Sequence, residues 1–160
     1  MSRILENDFD RMYDVYGALI YKIAVVYLKN RADAEDVVQN VFVKLFCKAP
    51  DFLSAAEEKA WIIKVTVNCC KNEKKSFWKR KVDLTDDKLD DIPDFTDEDR
   101  AVMDEVFSLP PNYRTVIYLY YIEGYKIDEI SKILSLSRSA VKMRLSRGRE
   151  MLKTGLKEVL

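Results

Sequence analysis

Apolar residues recur along most of this chain three and four positions apart, the spacing of helices with one buried face. A first helix is expected from Phe9 to Leu28, where Phe9, Met12, Tyr13, Tyr16, Leu19, Ile20, Ile23 and Tyr27 form a broad stripe. A second should start at Asp33, an N-cap carboxylate with Asp36 three residues on, and carry Val37, Val38, Val41, Phe42, Leu45 and Phe46 until Pro50 stops it. A third runs from about Ala55 to Lys75, with Trp61, Ile62, Val65 and Cys69 on one side and Lys59, Lys64, Lys71 and Lys75 mostly elsewhere. Residues 83–99 show no sustained period and contain Pro93, so they read as a linker. Two further helices follow, Arg100 to Leu109 and Asn112 to Ile122, separated by Pro110 and Pro111, the second ending at Gly124. From Lys126 to Leu152 the rhythm is that of a helix-turn-helix. Ile127, Ile130, Ile133 and Leu134 bury its first helix, Leu136 fills the turn, and Val141, Leu145, Gly148 and Leu152 bury the second, which Ser137 can cap. The expected fold is all-α, with two small helical domains, residues 1–81 and 100–160, joined by a linker over 82–99.

Composition supports this picture. Hydrophobic residues make up 48% of the 160, with only four Gly and four Pro, as suits a chain rich in packed regular structure. The net charge of zero hides three unlike blocks. Residues 1–81 carry 15 Lys and Arg against 11 Asp and Glu, residues 82–105 carry 2 against 11, and residues 106–160 carry 10 against 5. Two basic modules thus flank a strongly acidic connector that self-repulsion extends. Local basic patches, not the chain total, govern affinity for nucleic acid.

Several function classes fall away. The chain has no His, which removes the commonest general base and the usual metal ligand. Cys47, Cys69 and Cys70 form no CxxC pair and no even set, so neither a disulfide framework nor a thiolate metal site is implied. No catalytic group, cofactor or metal is expected. No apolar run reaches the roughly 18 residues of a membrane span, and Met1 to Asp10 lacks the features of a secretory signal. The expectation is a cytoplasmic protein without membrane insertion.

Three constellations carry chemistry. In the second helix of the helix-turn-helix, Val141 and Leu145 point inward, and roughly 100° per residue then places Ser139, Met143 and Ser146 opposite, with Lys142 and Arg147 at the shoulders. Arg138, Arg144 and Arg149 fall on the flanks, where backbone phosphates would lie. A basic amphipathic helix with a solvated face is the plainer alternative. Second, residues 60–81 include Asn68, Lys71 and Asn72, then interleave Lys74, Lys75, Lys79, Arg80 and Lys81 with Phe77 and Trp78. Cations can track a phosphate backbone while aromatic faces stack on unpaired bases, which suits single-stranded DNA. Trp61 is expected in the core instead. Third, Asp33, Glu35, Asp36, Gln39 and Asn40 decorate the outer side of the second helix. Carboxylates in a first turn also favour the helix dipole, with no partner needed.

Taken in order, these segments resemble an extracytoplasmic-function (ECF) sigma factor of the sigma-70 family over nearly the whole chain. DAEDVVQNVFVKLF, Asp33 to Phe46, is similar to that family's region 2 helix that docks on core RNA polymerase. AWIIKVTVN and the basic stretch after it are similar to the part that melts and reads the minus-ten promoter element. Leu109 to Leu152 looks like region 4, which reads the minus-thirty-five element. The resemblance implies a region 2 bundle of three to four helices, a region 4 helix-turn-helix, core polymerase and promoter DNA as partners, and an anti-sigma factor. Ser135 and Ala140 stand where the family commonly has Gly and Thr, and Asn72 where an acidic residue is frequent. Ser135 is therefore expected to adopt a left-handed backbone at some cost. A sigma-like decoy that binds an anti-sigma protein, or a lone helix-turn-helix regulator, are the other readings. The basic and aromatic stretch from Lys74 to Lys81 argues against both.

Overall fold

The computed structural model describes residues 6–80 and 96–159, and every regular element among them is a helix. The chain divides into two compact units, Met1–Pro93 and Asp94–Leu160. The first contains α1 (Glu6–Leu28), α2 (Arg31–Lys48) and α3 (Ala55–Arg80). The second contains α4 (Asp97–Val106), α5 (Pro111–Tyr121), α6 (Ile127–Leu134) and α7 (Arg138–Val159). Among the described residues no helix is long and apolar enough to cross a membrane.

In the first unit α1, α2 and α3 pack on one another pairwise. The core comprises Ile20, Ile23, Ala24, Val25 and Val26 of α1, Val37, Val41 and Leu45 of α2, and Ile62, Ile63, Val67 and Cys70 of α3. Three local expectations need correction. The N-cap of α2 is Asn30, whose side chain accepts from the Asp33 backbone N–H at 2.9 Å. Asp33 thus sits inside the first turn, because Asn caps as well as Asp and lies where the chain leaves α1. Lys29, at φ 56°, reverses the direction there. The buried face of α3 is also rotated from the expected stripe. Ile62, Ile63, Thr66 and Cys70 are buried, whereas Trp61 and Val65 are only partly so. Trp61 packs edge-on against Phe52 of the preceding loop at 5.7 Å, at the rim of the core. Finally, α3 continues through Arg80 instead of stopping near Lys75.

In the second unit α7 packs on α4, α5 and α6. α4 starts at Asp97, three residues before the expected helix, and α5 has Pro111 at its first position, where a missing N–H costs nothing. Arg114 is buried, and its Nη1 donates to the carbonyls of Phe107 at 3.3 Å and Leu109 at 3.0 Å, tying the α4–α5 corner. Gly148 lets α7 approach α5 closely, since a Cβ there would stand 2.6 Å from Ile117 Cδ1. The acidic stretch up to residue 95 lies outside the described residues, so the linker expected over 82–99 is described only from Thr96 onward.

Candidate nucleic-acid interface

The turn that sets α7 against α6 is built from local hydrogen bonds. Lys126 N–H donates to Glu129 Oε1 at 3.0 Å and starts α6. Ser135 ends it in the left-handed region at φ 54°, as the resemblance to a family with Gly at this position implied. Ser131 Oγ then donates to the Leu136 carbonyl, and Leu136 N–H returns to the Ser131 carbonyl at 3.0 Å. Ser137 Oγ accepts from Ala140 N–H at 3.0 Å, so the expected cap on α7 is present. With Val141, Leu145 and Gly148 buried, the orientation of α7 about its own axis is set. Ser139, Lys142, Met143, Ser146 and Arg147 are all exposed.

The flanking arginines are not equivalent. Arg144 is half-buried and Arg147 open to solvent. Arg138 Nε pairs with Asp128 Oδ1 of α6 at 2.5 Å, both side chains being largely exposed. Arg149 Nε instead donates to the Tyr121 hydroxyl at 2.5 Å, and its guanidinium lies over the rings of Tyr120 and Tyr121. Sequence reasoning passed over the two tyrosines. They fall at the end of α5, and only the tertiary crossing of α5 and α7 joins them to Arg149.

On the first unit, Asn68, Lys71 and Asn72 are exposed on α3. Lys64, exposed one turn before Asn68, shares their side of the helix and was legible from the same spacing. The backbone of Lys74, Lys75, Phe77, Trp78, Lys79 and Arg80 continues the same helix, while their side chains lie outside the described residues. Lys81 lies outside them altogether. The short loop before α3 presents Leu53, which is 94% exposed, with its backbone N–H bonded to Glu57 Oε2 at 3.0 Å. An apolar side chain held so openly carries no periodic signal.

Along α2, Glu35, Asp36, Gln39 and Asn40 are exposed and Asp33 is half-buried. Val43, 59% exposed, extends the same face, which is therefore partly apolar. Carboxylate oxygens of Asp33, Asp36 and Glu73 lie within 4.8 Å of one another, a loose surface trio of a kind common without an ion. Cys69 and Cys70 are buried and Cys47 is exposed. Burial, then the nearby Cys69 and Glu73, pushes the Cys70 thiol far above its ordinary range, so it is inert as a nucleophile.

The family model for sigma-70 region 2 matches residues 12–80, and that for sigma-70 region 4 matches residues 100–152. The ECF sigma factor SigW of Bacillus subtilis is 25% identical, the match covering 96% of this chain and 91% of the relative. The ECF sigma-E factor of Haemophilus influenzae is 26% identical over 100% of this chain and 95% of its own. Among solved structures, the sigma factor RpoE of Bartonella quintana, in complex with the anti-sigma factor NepR, superposes with a TM-score of 0.74. It is 20% identical, covering 94% of this chain and 97% of RpoE, a likeness of fold. CnrH, in complex with the cytosolic domain of CnrY, gives 0.67 at 23% identity, over 96% of this chain and 90% of CnrH.

Proposed function

The chain belongs to the sigma-70 family, in its ECF group, and on that premise we propose that it directs core RNA polymerase to promoters by reading a minus-thirty-five element with α7 and a melted minus-ten element with α3. It is a sigma factor of transcription initiation, and sigma factors catalyse no reaction themselves. The observation that carries the finer reading is α7: a capped, rigid helix whose buried edge is fixed by Val141, Leu145 and Gly148 and whose outer face is polar and cationic. Such a helix fits the major groove, which admits one helix and offers base edges to its outward side chains.

Ser139, Lys142, Met143, Ser146 and Arg147 would meet base edges, while Arg138, Arg144 and Arg149 would meet phosphates. On the first unit, Lys64, Asn68, Lys71 and Asn72 stand exposed on α3, and the cation- and aromatic-rich sequence from Lys74 to Arg80 follows on the same helix, a combination suited to a separated strand. Leu53, presented at the start of that helix, is an added candidate for contact with an unstacked base. Asp33, Glu35, Asp36, Gln39, Asn40 and Val43 are assigned to core polymerase. Residues 1–81 and 100–160 are taken as the two functional domains and 82–99 as their linker. An anti-sigma factor is taken as regulator, a reading supported by the RpoE–NepR complex among the similar structures, and the cytoplasm is taken as the place of action.

The test is run-off transcription with core polymerase on a library of promoter fragments. The protein is expected to give defined start sites that core polymerase alone does not give. Transcripts that are the same with and without it would overturn the reading.

A further inference from the structure

Among the described residues, Arg149 is the flanking cation of α7 whose guanidinium is anchored to α5, and the manner of anchoring leaves its charge intact. Its Nε donates to the Tyr121 hydroxyl, and its Cζ stands 5.6 and 5.5 Å from the centroids of Tyr120 and Tyr121. The two rings meet edge to face at 4.9 Å and 76°, forming a corner against which the guanidinium rests. Arg138 contrasts with it, because its guanidinium already has a carboxylate partner in Asp128 of α6, both side chains being largely exposed. Among the described residues Arg149 has no carboxylate partner, and its Nη donors remain available. A planar guanidinium already fixed in place meets phosphate oxygens with less loss of side-chain freedom than a mobile one.

We propose that Tyr121, with Tyr120 beside it, is a positioning residue for DNA binding that holds Arg149 ready for a backbone phosphate of the duplex lying along α7. The proposal rests on the reading of α7 as the minus-thirty-five reader. A clamp that merely joined α5 to α7 would make the same contacts, and the two roles differ in what a double substitution does.

The experiment uses the full chain bound to core polymerase. Its probes are a duplex selected by the wild-type holoenzyme from a pool randomised at the minus-thirty-five position, and an unselected duplex. Arg149→Ala is expected to weaken both alike and to lower the salt slope by about one. Tyr121→Phe keeps the ring but removes the acceptor, and should weaken both by about threefold to tenfold with the slope retained. The double variant should be no weaker than Arg149→Ala alone, because the hydroxyl acts only through the arginine. Additive losses, or an Arg149→Ala protein that binds as wild type does, would overturn the proposal. So would a Tyr121→Phe protein with a lowered thermal midpoint and unchanged affinity, which would make the pair a packing clamp. Failure of the underlying reading is seen separately, in a wild-type holoenzyme that selects no sequence from the pool.

Discussion

Gly148 occupies a buried position on α7 facing Ile117, and the missing side chain is what the crossing of α5 and α7 uses. A Cβ would lie 2.6 Å from Ile117 Cδ1 and 3.2 Å from its Cγ1, with Ile117 itself buried. Ala gains roughly 1 kcal/mol in helix propensity over Gly and would offset much of that crowding. Val adds two methyl groups beyond the Cβ and gains less helix propensity than Ala does. Gly148→Val is expected to destabilise the second unit by about 1 to 3 kcal/mol, seen as a lowered thermal midpoint. An unchanged midpoint would show that Ile117 can repack. On the outer side of the same helix, Arg147 and Arg144 differ in exposure. Arg147→Ala should cost about 1 to 3 kcal/mol at one promoter position and relax preference there. Arg144→Ala should weaken all sequences alike and reduce the salt slope by about one. Binding of the holoenzyme to a panel of minus-thirty-five variants at several salt concentrations separates the two. Equal losses on every sequence for both variants would mean that α7 lies in the groove in another rotation.

Among the elements, α2 shows how structural and partner roles divide along one helix. Asn30 caps it and Asp33 lies in its first turn, so the helix start has a sufficient local explanation. Asp36 and Gln39 are exposed beyond that need, on the side where Val43 also stands open to solvent. A polar rim beside an apolar centre is the make-up of a protein interface, which the dipole account does not require. Asp36→Lys combined with Gln39→Ala should weaken binding to core polymerase severalfold while leaving the helical content and thermal midpoint unchanged. Titration against immobilised core polymerase is the measurement, and wild-type affinity would return these residues to the dipole role. The length of α3 matters likewise. Its run to Arg80 puts Asn68, Lys71 and Asn72 on the same helix as Phe77 and Trp78, where a frayed end at Lys75 would have uncoupled them.

For the molecule as a whole, charge is segregated more sharply than structure. Residues 82–105 carry 11 acidic against 2 basic residues, while the segments on either side are basic. Such a block attracts both modules and repels DNA over distances near the Debye length, about 10 Å at 0.1 M salt. Replacing Asp86, Asp87, Asp90 and Asp91 with Asn should therefore strengthen DNA binding by the polymerase-free protein at low salt. The gain should fade as salt rises. Equal affinity of the two proteins at low salt would reduce the connector to a spacer.

Periodicity alone determined that the chain is helical and that Met12, Tyr16, Ile20 and Ile23 of α1, Ile130 and Ile133 of α6 and Val141 and Leu145 of α7 are buried, although Tyr13 of the expected α1 stripe is 51% exposed; Ser137 was legible as the cap of α7, and the left-handed turn at Ser135 followed from the resemblance. These are local outcomes, governed by side chains three and four residues apart and by the backbone of one turn. The resemblance of three segments in order located the family for the same reason, since each motif is contiguous. What needed the tertiary structure was every choice between nearly equal local options. Asn30 and Asp33 are both good caps, and the exit from α1 decided for Asn30. Trp61 and Ile63 both fit a stripe on α3, and packing against α1 and α2 buried Ile63 while leaving Trp61 on Phe52 at the rim. Arg138 and Arg149 look alike as flanking cations. Only the crossing of α7 over α5 and α6 gives one a carboxylate and the other a pair of tyrosines, because partners so distant in sequence are chosen by the fold and not by spacing.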